Sequence, residues 1–339
     1  MIIINNEISC SHEINFKNIT SQVADMGLME DNRLIIKICK LFYDDNLSQK
    51  EIAFKLAISR PQISRALTYA RQQGWVSIRI NNPYAEEDAL EQKLMNKFGL
   101  RYALVTNTHL KSDYEAWEMI GKNAEIRILY YLSTFRTIGI MSSKSIYFVL
   151  NKAVLPHTGK ITFVSLVGGM GTAGAQWHAN YMSQRFAEKT GGKAYLLNAP
   201  LFVQNEEMQK TLIQEENIQR AYKYFRECDV IFTGIGQIDT KATLVESGTL
   251  IKDDLNLLKT NGAVAAVAGS FFDKNGNLVK TELSRRFIGI GYDEIKACPN
   301  VVVIAAGNEK TAAIGAALRT TLCHELITNS ETARALLDS

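Results

Sequence analysis

Residues 48–80 read SQKEIAFKLAISRPQISRALTYARQQGWVSIRI, and this stretch decides how the first part of the chain folds. Ser48, followed three residues later by Glu51, has the pattern of a capping box and predicts the start of a helix. A short turn over 57–59 comes next. Pro61 then falls in the first turn of a second helix, where its missing N–H costs no hydrogen bond. The stretch therefore predicts two short helices joined by a tight turn.

The second predicted helix has one apolar face and one polar face. Ile63, Ala66, Leu67 and Ala70 recur at helical spacing and predict a buried stripe. The residues expected to face outward and contact DNA are Ser59, Arg60, Gln62, Ser64, Arg65 and Tyr69. Gln and Arg side chains can bond base edges, and Ser and Arg side chains can reach phosphates. This layout is typical of a helix-turn-helix whose second helix enters a DNA major groove.

The flanking sequence extends this unit. Apolar residues three and four apart over 31–44 predict a preceding helix. After Gly74, which ends the second helix, residues 75–80 alternate like the strand of a wing. Nine basic and four acidic residues lie within 31–83, a charge of +5 against +3 for the whole chain. The positive charge is therefore local, as a DNA-binding surface requires. The plainer alternative is a helical hairpin with a solvated basic face.

Length and composition restrict the class of protein. With 339 residues and 46% hydrophobic content, the chain is long enough for a small domain and one large α/β domain. The five cysteines are scattered without a Cys-x-x-Cys pair, which indicates reduced thiols, no metal site and a cytoplasmic location. No apolar run reaches the length of about 18 residues that a membrane span needs. The first residues lack the positive region of a signal peptide. We expect neither a membrane nor a cofactor among the partners.

Strands and helices alternate from Tyr102 onward. The predicted strands lie at 102–106, 137–141, 161–167, 194–200, 229–236, 263–269 and 301–307. The predicted helices lie at 113–132, 146–153, 175–189, 206–226 and 310–320. Continuous apolar strands separated by helices predict an α/β fold with a parallel sheet that is covered on both faces.

These patterns divide the chain into four segments. We predict an N-terminal arm over 1–30, a winged helix-turn-helix DNA-binding domain over 31–82, a linker helix over 83–99 and a large α/β domain over 100–339. The linker helix carries Leu90, Leu94 and Phe98 at intervals of four residues. It either pairs with its copy in a dimer or packs on the large domain.

Polar loops follow several of the predicted strands, and parallel α/β sheets bind ligands outside the carboxyl ends of their strands. In GNEKTAAIGAALR (307–319), Lys310 stands beside the free N–H groups of a helix start, which predicts an anion site. In SSKS (142–145), three hydroxyls and the Lys144 ammonium follow another strand. The alternatives are a surface lysine in an ordinary capped helix and a solvated loop.

Two further loops are open to more than one interpretation. Residues 169–174, GMGTAG, match the G-x-G-x-x-G pattern of dinucleotide sites, but the next strand ends in Asn-Ala-Pro (198–200) where such a site needs an acidic residue. We therefore expect a tight turn or a ligand contact, and no nicotinamide cofactor. Asp273 in GSFFDKNGN (269–277) has the chemistry to bind a sugar hydroxyl, although Asp-Lys-Asn-Gly is also an ordinary turn.

Taken in order, these segments resemble the SorC (sorbitol operon) family of bacterial transcriptional regulators, which includes central glycolytic and deoxyribonucleoside regulators. The resemblance begins at about residue 31 and rests on SRPQISRALTYARQQGWVSIRI, LVGGMG, NAPLFV, VIFTGIG, GSFFDKNGN, AAGNEKTAAIGAALR and LITNSETARALL. It implies a sugar or sugar-phosphate effector domain related in fold to glucosamine-6-phosphate deaminase and ribose-5-phosphate isomerase. It also implies homodimers or homotetramers on palindromic operator DNA.

The resemblance also implies which residues bind the effector. They are Ser143, Lys144, Ser145, Gly169, Gly171, Gln237, Asp273, Glu309 and Lys310. Family members commonly have Gly-Ser-Thr or Gly-Thr-Thr where this chain has Ser-Lys-Ser at 143–145, and often a second glycine where it has Asn308. Both departures lie in loops that are expected to bind phosphate.

Two functions from different classes are compatible with this sequence. The first is a DNA-binding regulator of a carbohydrate operon, switched by a sugar or sugar phosphate. The second is an active sugar-phosphate isomerase or deaminase with an appended DNA-binding domain. Such an enzyme moves protons with a carboxylate and commonly a histidine. The relevant loop, GIGQIDTKAT (234–243), has Asp239 but no following histidine, so we expect a regulator without catalytic activity.

Overall fold

Two units make up the described chain. The computed structural model describes residues 31–152, 154–171 and 174–339, and the units are divided after Pro83. Each unit has its own hydrophobic core. The arm predicted over 1–30 lies outside the described residues.

The first unit contains three helices packed around one core. They are α1 (Asn32–Tyr43), α2 (Gln49–Leu56) and α3 (Arg60–Gln72). The apolar stripe predicted on α3 is buried and meets apolar side chains of the other two helices, among them Ile35, Ile38 and Ile52. The two helices predicted from residues 48–80, and the helix before them, are therefore confirmed.

Side-chain caps fix where α2 and α3 begin. Ser48 and Glu51 form a capping box at α2, and Ser59 and Gln62 form another at α3. Each box satisfies N–H groups that the helix itself leaves without a partner. Ala57 ends α2 in the left-handed conformation, with φ 55°, so the chain turns sharply between the two helices.

The wing strand predicted over 75–80 is wrong. These residues form no β-ladder with any described segment of the chain. A strand needs a partner for its N–H and C=O groups, and the three helices of this unit supply none. Ile78 and Ile80 are 61% and 83% exposed, so the alternation in the sequence does not correspond to a buried face.

The second unit is built on a seven-stranded parallel sheet. In spatial order its strands are β1 (Tyr102–Thr106), β11 (Glu325–Asn329), β10 (Val301–Ile304), β5 (Val230–Thr233), β2 (Thr137–Ile140), β3 (Thr162–Ser165) and β4 (Lys193–Tyr195). Every neighbouring pair is parallel. The predicted α/β fold with a parallel sheet is confirmed.

Helices and two cores surround this sheet. The helices of the unit are α4 (Ala85–Phe98), α5 (Asp113–Thr134), α6 (Lys144–Lys152), α7 (Ala179–Thr190), α8 (Glu206–Leu212), α9 (Glu216–Phe225), α10 (Thr243–Glu246), α11 (Lys252–Thr260), α12 (Glu282–Arg285), α13 (Tyr292–Ala297), α14 (Thr311–Arg319) and α15 (Ser330–Asp338). Alternate residues of β10 enter different cores, Val301 and Val303 one and Val302 and Ile304 the other. The sheet is therefore buried on both faces, as the apolar runs predict.

The helix predicted between the domains, α4, packs on the second unit. Leu90 and Leu94 are buried in its core. The Lys97 ammonium donates to the carbonyls of Leu336 and Leu337 near the end of α15, at 3.0 Å each. Packing on the large domain is one of the two alternatives considered for this helix, and its pairing with a second copy stays a prediction.

A second, antiparallel sheet was not predicted. It contains β6 (Gly236–Gln237), β7 (Ala265–Val267), β8 (Ser270–Phe272) and β9 (Leu278–Val279) in that order. The strand predicted at 263–269 belongs here and not to the parallel sheet. Only two residues connect β7 to β8, and so short a connection joins antiparallel strands, since a parallel crossover needs a dozen or more residues.

Other differences concern the lengths of elements. The strand predicted at 194–200 is limited to β4, which lies at the edge of the sheet with β3 as its one neighbour. The helix predicted at 206–226 is divided into α8 and α9, because a turn at 213–215 ends the first and begins the second. Residues 325–338 form β11 and α15, which were not predicted as elements.

Candidate functional site

The polar face of α3 is largely exposed in the first unit. Four of the six residues predicted to contact DNA are exposed: Ser59, Arg60, Ser64 and Arg65. Tyr69 is partly buried and packs edge-on against Trp75, with ring centroids 5.7 Å apart. Gln62 Oε1 accepts hydrogen bonds from the N–H and the hydroxyl of Ser59, at 3.0 and 2.8 Å. Gln62 therefore also holds the start of the helix.

The second unit has a cavity of about 100 Å³ at the carboxyl ends of β10, β5, β2 and β3. A cavity needs only about 10–15 Å³ to hold one water molecule, so this one is large enough for a small organic molecule. The lining combines an apolar wall with polar groups from loops. The polar lining residues are Ser142, Ser143, Lys144, Ser145, Thr233, Gln237, Thr243 and Lys310. This position is where open parallel sheets bind ligands.

The cavity brings together five of the nine residues predicted to bind an effector. They are Ser143, Lys144, Ser145, Gln237 and Lys310. They come from three segments that are far apart in sequence. The carboxyl ends of parallel strands meet at one edge of the sheet, and for that reason the loops that follow β2, β5 and β10 converge there.

Two serine hydroxyls form a short hydrogen-bond chain at the cavity. Ser145 Oγ donates to the carbonyl of Ile304 at 2.5 Å and lies 2.8 Å from Ser143 Oγ. Because the single proton of Ser145 is used on Ile304, the Ser143 hydroxyl donates to Ser145. Ser143 Oγ accepts the N–H of Ile146 at 3.5 Å, which leaves room for one hydrogen bond from a ligand hydroxyl. The N–H of Ser143 donates to the Trp177 carbonyl at 3.0 Å, which fixes the loop.

Lys310 supplies a cation to the cavity from the end of a 3₁₀ turn (Asn308–Lys310). Burial lowers the pKa of its ammonium. Glu309 and Asp239 oppose this shift, and Lys144 adds to it. Charges attract more strongly where water is excluded, so a partly desolvated ammonium favours an anionic ligand group.

Gln237 presents a hydrogen-bond acceptor that none of the described residues uses. The residue is only 8% exposed, and its Nε2 donates to Asp239 Oδ1 at 3.0 Å. Gln237 Oε1 is buried and has no hydrogen-bond partner among the described residues. A buried polar atom without a partner costs about 1–3 kcal/mol. A ligand hydroxyl that donates to Oε1 removes this cost.

Two predicted site glycines, Gly169 and Gly171, do not line the cavity. The N–H of Gly169 donates to the Ala199 carbonyl at 2.7 Å, and the N–H of Gly171 donates to Thr249 Oγ1 at 3.1 Å. A Cβ on Gly171 would lie 1.9 Å from the Ser247 carbonyl oxygen. The close approach of two backbone segments explains this glycine, and both amides serve the fold.

Two predicted acidic site residues also lie away from the cavity lining. Asp273 accepts hydrogen bonds from the side chain and N–H of Asn277, at 3.0 and 2.9 Å, and from the N–H of Asn275, at 2.8 Å. The hydrogen bonds from Asn277 lower the pKa of the Asp273 carboxyl. This is the geometry of the ordinary turn that was the alternative interpretation. Glu309 is exposed.

The apolar wall of the cavity was not predicted. Its largest side chains are Trp117, Met170, Leu201 and Leu244. They come from α5, α10 and loops after β3 and β4, and their local sequence carries no sign of ligand contact. No histidine, aspartate or glutamate is among the described residues that line the cavity.

In the three described ranges, no group of three or more His, Cys, Asp or Glu side chains is placed to hold a metal ion. None of the helices described there has the length and apolarity needed to cross a membrane. Cys298 and Cys323 are buried free thiols, and burial raises their pKa to about 11 and about 12, so they are poor nucleophiles.

Comparison with known proteins identifies relatives over nearly the whole chain. Residues 82–338 match the family model described as "Putative sugar-binding domain". The chain is 30% identical to the sorbitol operon regulator of Klebsiella pneumoniae, over 91% of this chain and 98% of that protein. It is 27% identical to the deoxyribonucleoside regulator of Bacillus subtilis (strain 168), again over 91% of this chain and 98% of the relative.

Solved structures agree with this result. The full-length sorbitol operon regulator SorC of Klebsiella pneumoniae superimposes with a TM-score of 0.70 at 28% identity, covering 91% of this chain and 99% of that one. A DeoR family transcriptional regulator from Listeria monocytogenes gives a TM-score of 0.69 at 28% identity, covering 74% and 99%. The resemblance drawn from the sequence motifs is confirmed: the chain belongs to the SorC family of transcriptional regulators, with a sugar-binding domain.

Proposed function

We propose that this chain binds operator DNA through α3 and that a sugar or sugar phosphate in the cavity controls this binding. The composition of the cavity lining carries the proposal. Lys310 suits an anionic group, whereas Gln237 Oε1 and the remaining Ser143 lone pair suit ligand hydroxyls. The apolar wall suits the C–H face of a sugar. These features together describe a polyhydroxylated small molecule, with or without phosphate.

The names of the relatives support a carbohydrate operon as the target. One relative is a regulator of the sorbitol operon, and another is a deoxyribonucleoside regulator. Sorbitol is a polyol, and deoxyribonucleosides contain a sugar. We therefore place the genes controlled by this chain among those for carbohydrate use.

We propose that the ligand is bound without being converted. Isomerisation or deamination of a sugar phosphate needs groups that move protons within reach of the substrate. Asp239, the acid of the loop after β5, is outside the described cavity lining. Its Oδ1 accepts hydrogen bonds from the Gln237 side chain and the Lys241 N–H, at 3.0 and 2.8 Å. This arrangement supports a sensor over an enzyme.

Operator binding in the presence of candidate ligands tests the proposal. DNA from upstream of the genes that neighbour the one for this chain is titrated with the full chain, alone and with a panel of sugars and sugar phosphates. Mass spectrometry follows the same compounds for turnover. We expect one compound to change operator affinity while remaining intact. Consumption of that compound would favour the isomerase or deaminase alternative, and a panel with no effect would contradict control by a sugar.

Variants of α3 should separate base contacts from phosphate contacts. We expect Gln62→Ala to relax base preference, at about 1–3 kcal/mol for a bidentate contact. Arg65→Ala should weaken binding to all sequences and lower the salt slope by about one, because one phosphate contact is lost. Fluorescence anisotropy at several salt concentrations measures both effects.

Arg71→Ala is the matched control for these variants, since Arg71 lies at the other end of the same helix. Circular dichroism checks that Gln62→Ala keeps its helix, because Gln62 also belongs to the capping box. Wild-type operator binding by both Gln62→Ala and Arg65→Ala would show that α3 is not the recognition helix.

We propose that the chain acts as a homodimer or homotetramer on a palindromic operator. One helix-turn-helix reads only a few base pairs, so useful specificity requires a second copy related by two-fold symmetry. We expect light scattering to give a mass of at least two chains, both free and on operator DNA. A single chain bound to the operator would contradict this prediction.

A further inference from the structure

An ion pair joins two segments that line the cavity. Lys144, the first residue of α6, donates from Nζ to Glu246 Oε2 at 2.8 Å. Glu246 is the last residue of α10, and Thr243 and Leu244 of the same helix line the cavity. The two paired side chains are 40% and 49% exposed. The pair therefore stands where the cavity meets solvent.

Lys144, Lys310 and Glu246 are close enough to act on one another. Burial is the main cause of the lowered pKa of Lys310. Lys144 lowers this pKa further, and Glu246 raises it. Lys144 Nζ also lies 5.0 Å from the centre of the Trp177 ring, a contact that holds an ammonium in place without using up its hydrogen bonds. Two cations of the cavity lining and one carboxylate beside it thus interact at the polar side of the cavity.

We propose that Glu246 is a built-in competitor for the anionic group of the effector. Glu246 holds Lys144, and a phosphate or carboxylate on the ligand takes over that ammonium. The inference rests on the proposed function, because it takes this cavity as the effector site. Glu246 then selects ligands that carry an anionic group, and its contact with Lys144 opens when such a ligand binds.

The charges favour this exchange for an anionic ligand and not for a neutral one. Exposed ion pairs are weak, because water screens them and two flexible side chains must be ordered. A phosphate carries about −1.5 to −2 charges near neutral pH, so it attracts Lys144 more strongly than a single carboxylate does. A neutral sugar offers no charge to replace Glu246. The pair therefore disfavours sugars that lack an anionic group.

The segment that carries Glu246 also makes a contact beyond the cavity. Ser247 follows Glu246 directly, and Thr249 lies two residues after Ser247. The hydroxyl oxygens of Ser247 and Thr249 are 2.8 Å apart. Thr249 Oγ1 accepts the N–H of Gly171 in the loop after β3. Repulsion between the bound anion and the freed Glu246 acts on this segment. These hydrogen bonds connect the segment after Glu246 to the loop that follows β3.

Inorganic phosphate is the probe that isolates the anion-binding part of the site. Isothermal titration of the full chain is done at constant ionic strength, with sodium chloride replaced by sodium phosphate. We expect Glu246→Gln to bind phosphate about two- to fivefold more tightly than wild type, because the competitor loses its charge. Asp253→Asn makes the same charge change on the neighbouring helix α11, where Asp253 is exposed, and should leave the affinity unchanged.

A double variant distinguishes competition for Lys144 from simple repulsion of phosphate. Lys144→Met should weaken phosphate binding by itself. Adding Glu246→Gln to Lys144→Met should then give a smaller gain than in wild type, since no ammonium is left to release and only the repulsion between Glu246 and phosphate is relieved. If Glu246→Gln raises phosphate affinity equally in the wild-type and Lys144→Met backgrounds, or not at all in the wild type, the proposal that Glu246 competes for Lys144 is overturned. If the wild type does not bind phosphate, both the competitor role of Glu246 and the proposed anion site are wrong. If only Lys310→Ala loses phosphate binding, the anion site stands.

Discussion

Lys310→Ala should abolish the response of operator binding to a sugar phosphate and leave the operator affinity of the free protein unchanged. Lys310 lines the cavity of the second unit, and the residues expected to contact DNA are in the first. A hydrogen bond to a charged group contributes about 1.5–3 kcal/mol, which corresponds to a loss of ligand affinity of about 10- to 150-fold. Calorimetric titration of the ligand, with and without operator DNA, measures this loss.

Two comparisons make the Lys310 result specific. Lys252→Ala removes an exposed lysine from α11 and should keep the response. Because burial lowers the pKa of Lys310, its ammonium is lost at a lower pH than that of an exposed lysine. Phosphate affinity of the wild type should therefore fall as pH rises toward this lowered pKa, and Lys310→Ala should lack that fall. Unchanged ligand affinity in Lys310→Ala would remove the residue from the site.

Arg127→Met should cause the largest loss of stability. Arg127 Nε on α5 donates to Glu325 Oε2 at 3.0 Å, and the Glu325 side chain is only 2% exposed. Three tyrosine rings surround the guanidinium, with centroids 4.5, 5.1 and 5.0 Å from Cζ: Tyr102, Tyr130 and Tyr131. Without Arg127 the Glu325 carboxylate stays buried and loses its cationic partner. We expect the free energy of unfolding to fall by about 3–5 kcal/mol.

Urea unfolding of the full chain measures this effect. Arg220→Met breaks an ion pair with Glu216 in which the side chains are 64% and 79% exposed, so its unfolding midpoint should match that of wild type. The double variant Arg127→Met/Glu325→Met should regain much of the loss, since replacing a whole buried pair is far cheaper than breaking it. A midpoint for Arg127→Met equal to that for Arg220→Met would contradict the prediction.

Local sequence patterns predict the helices and strands of this protein well. They predict poorly which strands pair with one another. The start of α3 follows from Ser59 and Gln62, which are three residues apart and interact within one helical turn. The strand over 75–80 was predicted from alternation alone, and alternation does not show whether a second strand is available. Residues 265–267 are equally apolar for a parallel or an antiparallel sheet, so the four-stranded sheet was missed.

The same distinction applies to the cavity. Ser143 and Lys310 were predicted because they follow strands, and the edge where parallel strands end is a general ligand position. Trp117 and Leu244 were missed because helices that are remote in sequence bring them there. Gly171 carries a visible motif, but the motif reflects the close approach of its backbone to Ser247. Spacing in a sequence cannot separate a glycine that touches a ligand from one that touches another strand or turn.

The order of strands in the large sheet affects how the protein is made in the cell. β1 is at the edge and has β11 as its one neighbour, with Tyr102 paired to Glu325. During synthesis β1 leaves the ribosome long before β11 exists, and pairing between such distant segments forms slowly. In that interval the unpaired edges of β1 and β10 are open to other chains. The sheet that carries the cavity is complete only when the ribosome has released residue 329.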